Sequence, residues 1–444
     1  MSKKRISLII VAIIVLIIVI LCGVYYGLSR TSPIENYVSK DSIAFAYKTN
    51  SGKSGHIVEK LLGEVALRNS GNMGKNVALA NKYISSAFIS LQGGSGSLSL
   101  PTIIMGVHTK FYPIIQMVAL KQYCISNGSG FYVLKPTLQT QLVNGLSGNA
   151  YVQNVVRNGK IYVKPYKGYF LIGLSKDDIN KYIGQIDSKN YSIGVQQEVI
   201  KLNKQSSFFA IFNVPEIISQ TPLSLFYPAN SQLKYMENYT EYANNTISIN
   251  WKFIGQEGIF NGYTMPRSGN QLMRYSGNMN SIYISSENMG QTLGMIKLFA
   301  GKWIGAQGTS PIYSQFNQMM QYVTNGGSNS VVGQELLVGL SSSGIPYVAF
   351  TSKTGVSSAS VIGAIPMMFN GEKPLIQNQG SLNFLNINNS NIKIGEYFNK
   401  NAFLNGKFQY KSVIFTLLGT SNGSDLTVRL GASEKDFARM LTQK

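Results

Sequence analysis

Between Ile6 and Val24 the chain runs for nineteen residues with one serine and no charged side chain, directly behind Lys3, Lys4 and Arg5. At about 1.5 Å of rise per residue such a run spans a hydrocarbon layer of roughly 30 Å, so the sequence predicts a transmembrane anchor over residues 6–28. The basic cap, residues 1–5, is expected to stay in the cytoplasm, with Tyr25 and Tyr26 at the opposite interface. The rest of the chain is then expected outside. A cleaved signal would have a shorter apolar core ending in small residues, whereas this one closes on Leu21-Cys22-Gly23-Val24. Bulky Leu21 argues against lipid attachment at Cys22, and the Arg5-Ile6 junction lacks the small residue of a prepilin-type signal.

The 444 residues, 44% of them hydrophobic, exclude a disordered chain and are enough for two ordinary domains or one large one. Lys and Arg outnumber Asp and Glu by 39 to 19, but beyond Lys3 to Arg5 the cations are scattered, without a nucleic-acid signature. No nucleic-acid partner is expected; a basic surface facing acidic glycans or lipid headgroups is. Only 13% of residues are charged, and Gly, Ser, Asn, Gln, Thr and Tyr take the polar positions. Carboxylates that are paired in the native state are the groups whose protonation unfolds proteins in acid, so few of them means little to lose as pH falls. In this the chain resembles the exterior proteins of thermoacidophilic archaea.

Cys22 and Cys124 fall in different compartments if the anchor is retained, so no intramolecular disulfide is expected. Acceptor patterns for N-glycosylation stand at Asn127, Asn190, Asn238, Asn244, Asn388 and Asn422, in agreement with an exterior location.

Residues 29–40, with Pro33, read as a stalk, residues 41–195 as a first module and 196–444 as a second, with a sub-boundary near 270–280. Asp41 to Lys48 alternates as a strand, His56 to Arg68 has helical spacing, and a second helix is expected from Asn76 to Ser90. Strand pairs are expected around three Asn-Gly turns: Val118 to Ser126 with Phe131 to Lys135, Tyr151 to Arg157 with Lys160 to Lys164, and Val413 to Thr420 with Asp425 to Leu430. Phe170 to Leu174 leads into Ser175-Lys-Asp-Asp178 and Leu426 to Gly431 into Ser433-Glu-Lys-Asp436, each a strand followed by a capped helix. Ser-led aromatic strands recur at Ser42, Ser206 and Ser281. The fold class expected is therefore α+β: a transmembrane helix followed by duplicated modules of antiparallel sheet with packed helices.

This order of anchor, Ser-led strand, helix, strands and a Tyr169-Phe-Leu-Ile-Gly-Leu-Ser175 strand with capped helix resembles a group of single-anchor prokaryotic envelope proteins classed as a domain of unknown function. Val332 to Leu340, Ile345 to Phe350 and a helix-like Ser357 to Phe369 are similar to the second-half pattern of that group. The resemblance implies a fold and a location, and no chemistry.

Catalytic patterns are sparse. The two histidines, His56 and His108, stand in no metal or triad spacing, and no cofactor or metal is expected. Gly52-Lys53-Ser54 follows a strand, but Tyr47 occupies the place of the first glycine of a phosphate loop, and Gly93-Gly-Ser-Gly-Ser reads as a flexible loop. Asp177 and Asp178 are accounted for by capping. Glu237 and Glu241, four apart, would share a face of a helix, and Trp251 and Trp303 would suit a sugar platform. The function expected is a non-enzymatic, membrane-anchored exterior protein that binds or scaffolds an envelope protein or glycan. A surface hydrolase acting on glycans or peptides through carboxylates is the alternative, and a pilus-like subunit a third. A flat apolar or basic patch would mark the first, and an acidic cluster in a deep cleft the second.

Overall fold

The computed structural model describes residues 31–50, 83–93, 101–110, 112–145, 159–220, 232–263, 271–272, 280–290, 292, 332–340, 346–353, 376–385, 402–410 and 413–436. The chain divides into two compact units. The first reaches to Ser231 and includes Tyr239–Glu241; the second comprises Gln232–Asn238 and the chain from Tyr242 onward.

The strands of the first unit are β1 (Ser42–Thr49), β2 (Ile84–Gln92), β3 (Thr102–Thr109), β4 (Cys124–Ser126), β5 (Tyr132–Leu134), β6 (Tyr162–Tyr166), β7 (Tyr169–Gly173) and β8 (Phe208–Asn213). They pair antiparallel in the order β8-β1-β2-β3-β7-β6-β5-β4. Its helices are α1 (Tyr112–Tyr123), α2 (Pro136–Gly145), α3 (Lys176–Asp187), α4 (Ile193–Gln205) and α5 (Val214–Gln220). Phe45, Phe88, Ile104, Leu171 and Phe209 fill the inner sheet face, with Ile179, Tyr182 and Ile186 of α3 and Val195, Val199 and Leu202 of α4 also buried. Ile34, Tyr37 and Val38, within the span read as a stalk, are buried in this unit too, and the Tyr37 hydroxyl donates to the Lys167 carbonyl at 2.8 Å.

Helix α3 starts where the sequence places it. The Ser175 hydroxyl accepts the backbone N–H groups of Asp177 at 3.1 Å and Asp178 at 3.3 Å, and the two aspartates sit in the positive first turn. Ser175→Ala is expected to lower stability by about 1 kcal/mol, read as a shift in the urea midpoint at unchanged slope.

The second unit carries β9 (Leu233–Ala243) apart from Tyr239–Glu241, then β10 (Thr246–Gly255), β11 (Ser281–Ser285), β12 (Val332–Leu340), β13 (Pro346–Ser352), β14 (Ile376–Gln379), β15 (Leu382–Leu385), β16 (Ala402–Tyr410), β17 (Val413–Ser421) and β18 (Asp425–Ser433). Their antiparallel order is β9-β10-β18-β17-β16-β11-β12-β13-β15-β14. Neighbouring residues face opposite ways, so Ile284, Leu336 and Phe350 enter one core while Tyr283, Leu337 and Ala349 enter another. Both faces of the central strands are thus buried, which explains their continuous apolar runs. The succession β16-β11-β12-β13-β15-β14 repeats the succession β8-β1-β2-β3-β7-β6 of the first unit.

The expected fold class is corrected by this architecture. Antiparallel sheet dominates; long helices flank strands in the first unit, while the described part of the second is almost wholly strand, with a 3-10 turn at Asn261–Tyr263. Among the described residues no helix is long and apolar enough to cross a membrane. The stretch 6–28 lies outside the described residues, as do the helices expected at His56 to Arg68 and Ser357 to Phe369, the Gly52-Lys53-Ser54 turn and the strand at Tyr151 to Arg157. The helix expected to end at Ser90 is strand β2 over its last seven residues, and most of the strand expected at Val118 to Ser126 is helix α1. Asn422-Gly423 does turn β17 into β18, with Gly423 at φ +92°, a region glycine enters without steric cost.

Candidate functional site

Strand β2 is built inside out. Ser86, Phe88, Ser90 and Gln92 point inward and are buried, while Ala87, Ile89 and Leu91 take the opposite face. The inward polar groups are satisfied by one another: the Ser39 hydroxyl donates to Gln92 Oε1 at 2.6 Å, the Gln92 amide donates to Ser90 Oγ at 2.6 Å and Ser42 Oγ at 3.1 Å, and Ser42 and Ser90 hydroxyls meet at 2.8 Å. A connected network of this kind costs little to bury. Its consequence lies on the other side of the sheet, where the aliphatic residues of β2 are turned outward.

Register extends that outward face. Ile89 is opposite Met105, Leu91 is opposite Ile103, and Met105 is opposite Ile172 of β7. Over β6 and β7 the face is covered: Tyr112, Leu120 and Cys124, from α1 and the start of β4, cluster with Val163, Phe170 and Ile172, and the Tyr112 and Phe170 rings are 4.7 Å apart. Over β2 and β3 it stays open, with Ile89 44%, Ile103 49% and Met105 37% exposed. Helix α1 adds Ile114 and Val118, four residues apart and each more than half exposed, and Ile125 follows it. Scattered exposed aliphatics need no explanation, but Ile89, Ile103 and Met105 are cross-strand neighbours, an arrangement of the kind that marks an interaction site, and α1 presents a second exposed apolar pair. Sequence polarity would have put Ile89 and Leu91 inside; only the buried Ser/Gln network shows that the strand is inverted.

The other residues singled out by sequence lie apart from this face. Glu237 and Glu241 sit on β9, a strand and not a helix; Glu237 is fully buried and Glu241 partly so. Trp251, on β10, packs partly buried against the core, and Trp303 lies outside the described residues, as does His56. His108 is half-buried on β3; its Nδ1 lies 2.7 Å from the Gly168 carbonyl, which fixes Nδ1 as the donor, and burial holds its pKa below the usual value. A neutral imidazole with an N–H satisfied in this way serves packing, between the rings of Tyr112 and Tyr169. Cys124 is a buried free thiol whose pKa is raised by burial. Of the glycosylation acceptors, Asn127, Asn190, Asn244 and Asn422 are exposed, Asn238 is half-buried in β9, and Asn388 lies outside the described residues. The described residues contain no group of three or more His, Cys, Asp or Glu placed to hold a metal ion.

One further carboxylate is deeply buried. Glu335 of β12 accepts the Tyr283 hydroxyl at 2.7 Å and the Leu272 N–H at 3.1 Å on one oxygen, and the Gln271 N–H at 3.0 Å on the other. Its burial raises its pKa, against the opposing pull of those donors. With three donors converging on it at 2% exposure, this group ties residues 271–272 to the sheet.

No family model and no curated protein matches the chain. Among solved structures it is similar to crystal forms of TP0453. Form III aligns at 8% identity over 52% of this chain and 82% of that one, with a TM-score of 0.31. Form I aligns at 10% identity over 51% and 80%, with a TM-score of 0.29, and form IV at 9% over 51% and 81%, with 0.26. Scores this low do not establish a common fold.

Proposed function

We propose that this chain is a non-enzymatic, extracytoplasmic binding protein that holds a component of the cell envelope on the open apolar face of β2 and β3. The exposed cross-strand group Ile89, Ile103 and Met105 is the observation that carries the reading. An uncovered sheet face costs roughly 25 cal/mol for each Å² of apolar surface left in water, and a partner that covers it recovers that cost. The apolar sequence of residues 6–28, with its basic flank, supports a placement at the outer side of a membrane.

Photo-crosslinking in intact cells tests this. With a benzophenone amino acid in place of Ile103, an adduct to a protein, glycan or lipid of the envelope is expected, and the same probe in place of Ile193, exposed on α4, serves as the comparison. Absence of any adduct at 103 beyond that seen at 193 would overturn the assignment.

A further inference from the structure

The open face belongs to a segment of unusual charge. Between Glu64 and Asp177 the chain has no aspartate or glutamate, yet it holds eleven lysines and arginines and no tryptophan. Most of the large apolar side chains exposed in the described residues fall inside this same interval, from Tyr83 to Leu174; only Ile193 and Ile200 lie beyond it. Exposed apolar surface and unbalanced positive charge therefore coincide in the sequence.

Three lysines of the segment are held by neutral partners. Lys164 Nζ donates to Asn180 Oδ1 at 2.9 Å and lies 4.5 Å from the centre of the Phe131 ring. Lys176 Nζ donates to the Asn127 carbonyl at 2.9 Å, and Lys135 Nζ to the Gln122 carbonyl at 2.6 Å. Lys167 does meet a carboxylate, that of Asp187, at 2.7 Å. Carbonyls and ring faces orient an ammonium group without cancelling its charge. Lys164 and Lys176 lie with α3 on the inner side of the sheet, whereas Lys135 lies at the end of α1. Lys110 joins β3 to α1, and Lys121 follows Val118 by three residues along α1, which sets a cation beside the apolar stripe.

Resting on the binding function proposed above, we infer that the envelope component is an anionic lipid surface. On this reading Ile89, Ile103, Met105, Ile114 and Val118 enter the interfacial layer while Lys110, Lys121 and Lys135 meet the headgroups. Aliphatic side chains with tyrosines at the margin, here Tyr83 and Tyr123, and lysines around them suit a lipid interface. Each lysine near an anionic leaflet is worth roughly a fivefold gain in partitioning, screened by salt over about 10 Å.

The test uses the full chain with Cys22→Ser and Cys124→Ala, a fluorescent nitrobenzoxadiazole label on Ile103→Cys, and reconstitution into vesicles containing brominated acyl chains. In phosphatidylglycerol/phosphatidylcholine vesicles the label at 103 is expected to be quenched, with quenching reduced at high salt, in pure phosphatidylcholine and in Lys110→Glu/Lys121→Glu. A label on Ile193→Cys, also apolar and exposed but outside the acid-free segment, is expected to be unquenched throughout, and far-UV circular dichroism checks that each variant is folded. No quenching at 103, or quenching indifferent to salt and lipid charge, would overturn the inference. A protein adduct at 103 in cells together with no quenching would leave the binding function standing and remove the lipid assignment, whereas neither adduct nor quenching would remove both.

Discussion

Phe88→Ala is expected to destabilise the first unit by about 3–5 kcal/mol, the range for emptying a buried phenylalanine site. Phe88 is 1% exposed at the centre of the inner sheet face, with the rings of Tyr37, Phe45 and Tyr169 at 5.2, 5.5 and 5.1 Å. Its place depends on Gly106, its cross-strand partner on β3: a Cβ there would lie 2.0 Å from Phe88 Cε1. Gly106→Ala alone must push the ring out of this cluster, at a cost of about 1–3 kcal/mol or more. In the double variant the new methyl group occupies part of the space the ring has left, so the two costs should fall well short of adding. A urea double-mutant cycle reads this directly, and strict additivity would mean that Phe88 does not lean on Gly106. The same pair bears on function, because a sheet pinned from its inner face by aromatic packing can present β2 and β3 outward without a second layer.

What the sequence shows of this fold depends on whether the deciding contacts are local. The Ser175 cap and the Asn422-Gly423 turn are settled within a few residues, by a hydroxyl reaching two N–H groups and by a positive φ, and both are legible. Helix α1 is not, because Val118 and Ile125 favour a strand and the Asn127-Gly128 turn follows them. What makes it helical is the burial of Tyr112, Leu120 and Cys124 against Val163 and Phe170, some 50 residues away in the chain. Pro113, suited to a first helical turn, was the available local signal. Strand β2 is the harder case, since its polar residues face the core and its aliphatics face out. That inversion is held by Ser39 and Ser42, which approach Ser90 and Gln92 only after β1 has paired with β2. The candidate site was thus hidden for the reason that makes it a site: it breaks the rule that apolar residues point inward. Glu237 and Glu241 failed differently, because four-residue spacing joins two carboxylates on a helix but sets them roughly 13 Å apart along a strand such as β9.

Glu335→Ala is expected to cost the second unit roughly 3 kcal/mol or more, because the Tyr283 hydroxyl and the Gln271 and Leu272 N–H groups lose a buried acceptor together. The pH dependence carries the sharper expectation. Burial raises the Glu335 pKa in the folded state above its ordinary value of 4.5, so folding favours the protonated form. Its contribution to stability is then fully present below about pH 4.5 and is lost as pH rises through the higher folded value. Asp41 has the opposite sign. Burial would raise its pKa, but hydrogen bonds from Lys181 and Gln185 hold it below the ordinary 3.8, so its contribution is present above that value and is lost only as pH falls below it. Between about pH 4.5 and 7, acidification should therefore strengthen the second unit through Glu335 while leaving the Asp41 contribution intact. In Glu335→Gln, which keeps an acceptor oxygen but has no proton to gain, that rise should disappear. Denaturant unfolding at pH 4.5, 5.5 and 7 for the wild type and the Gln variant reads the difference, and parallel curves would show that Glu335 titrates alike in the folded and unfolded chain. A buried carboxylate that stabilises on protonation has the opposite sign to the paired carboxylates whose protonation unfolds proteins in acid.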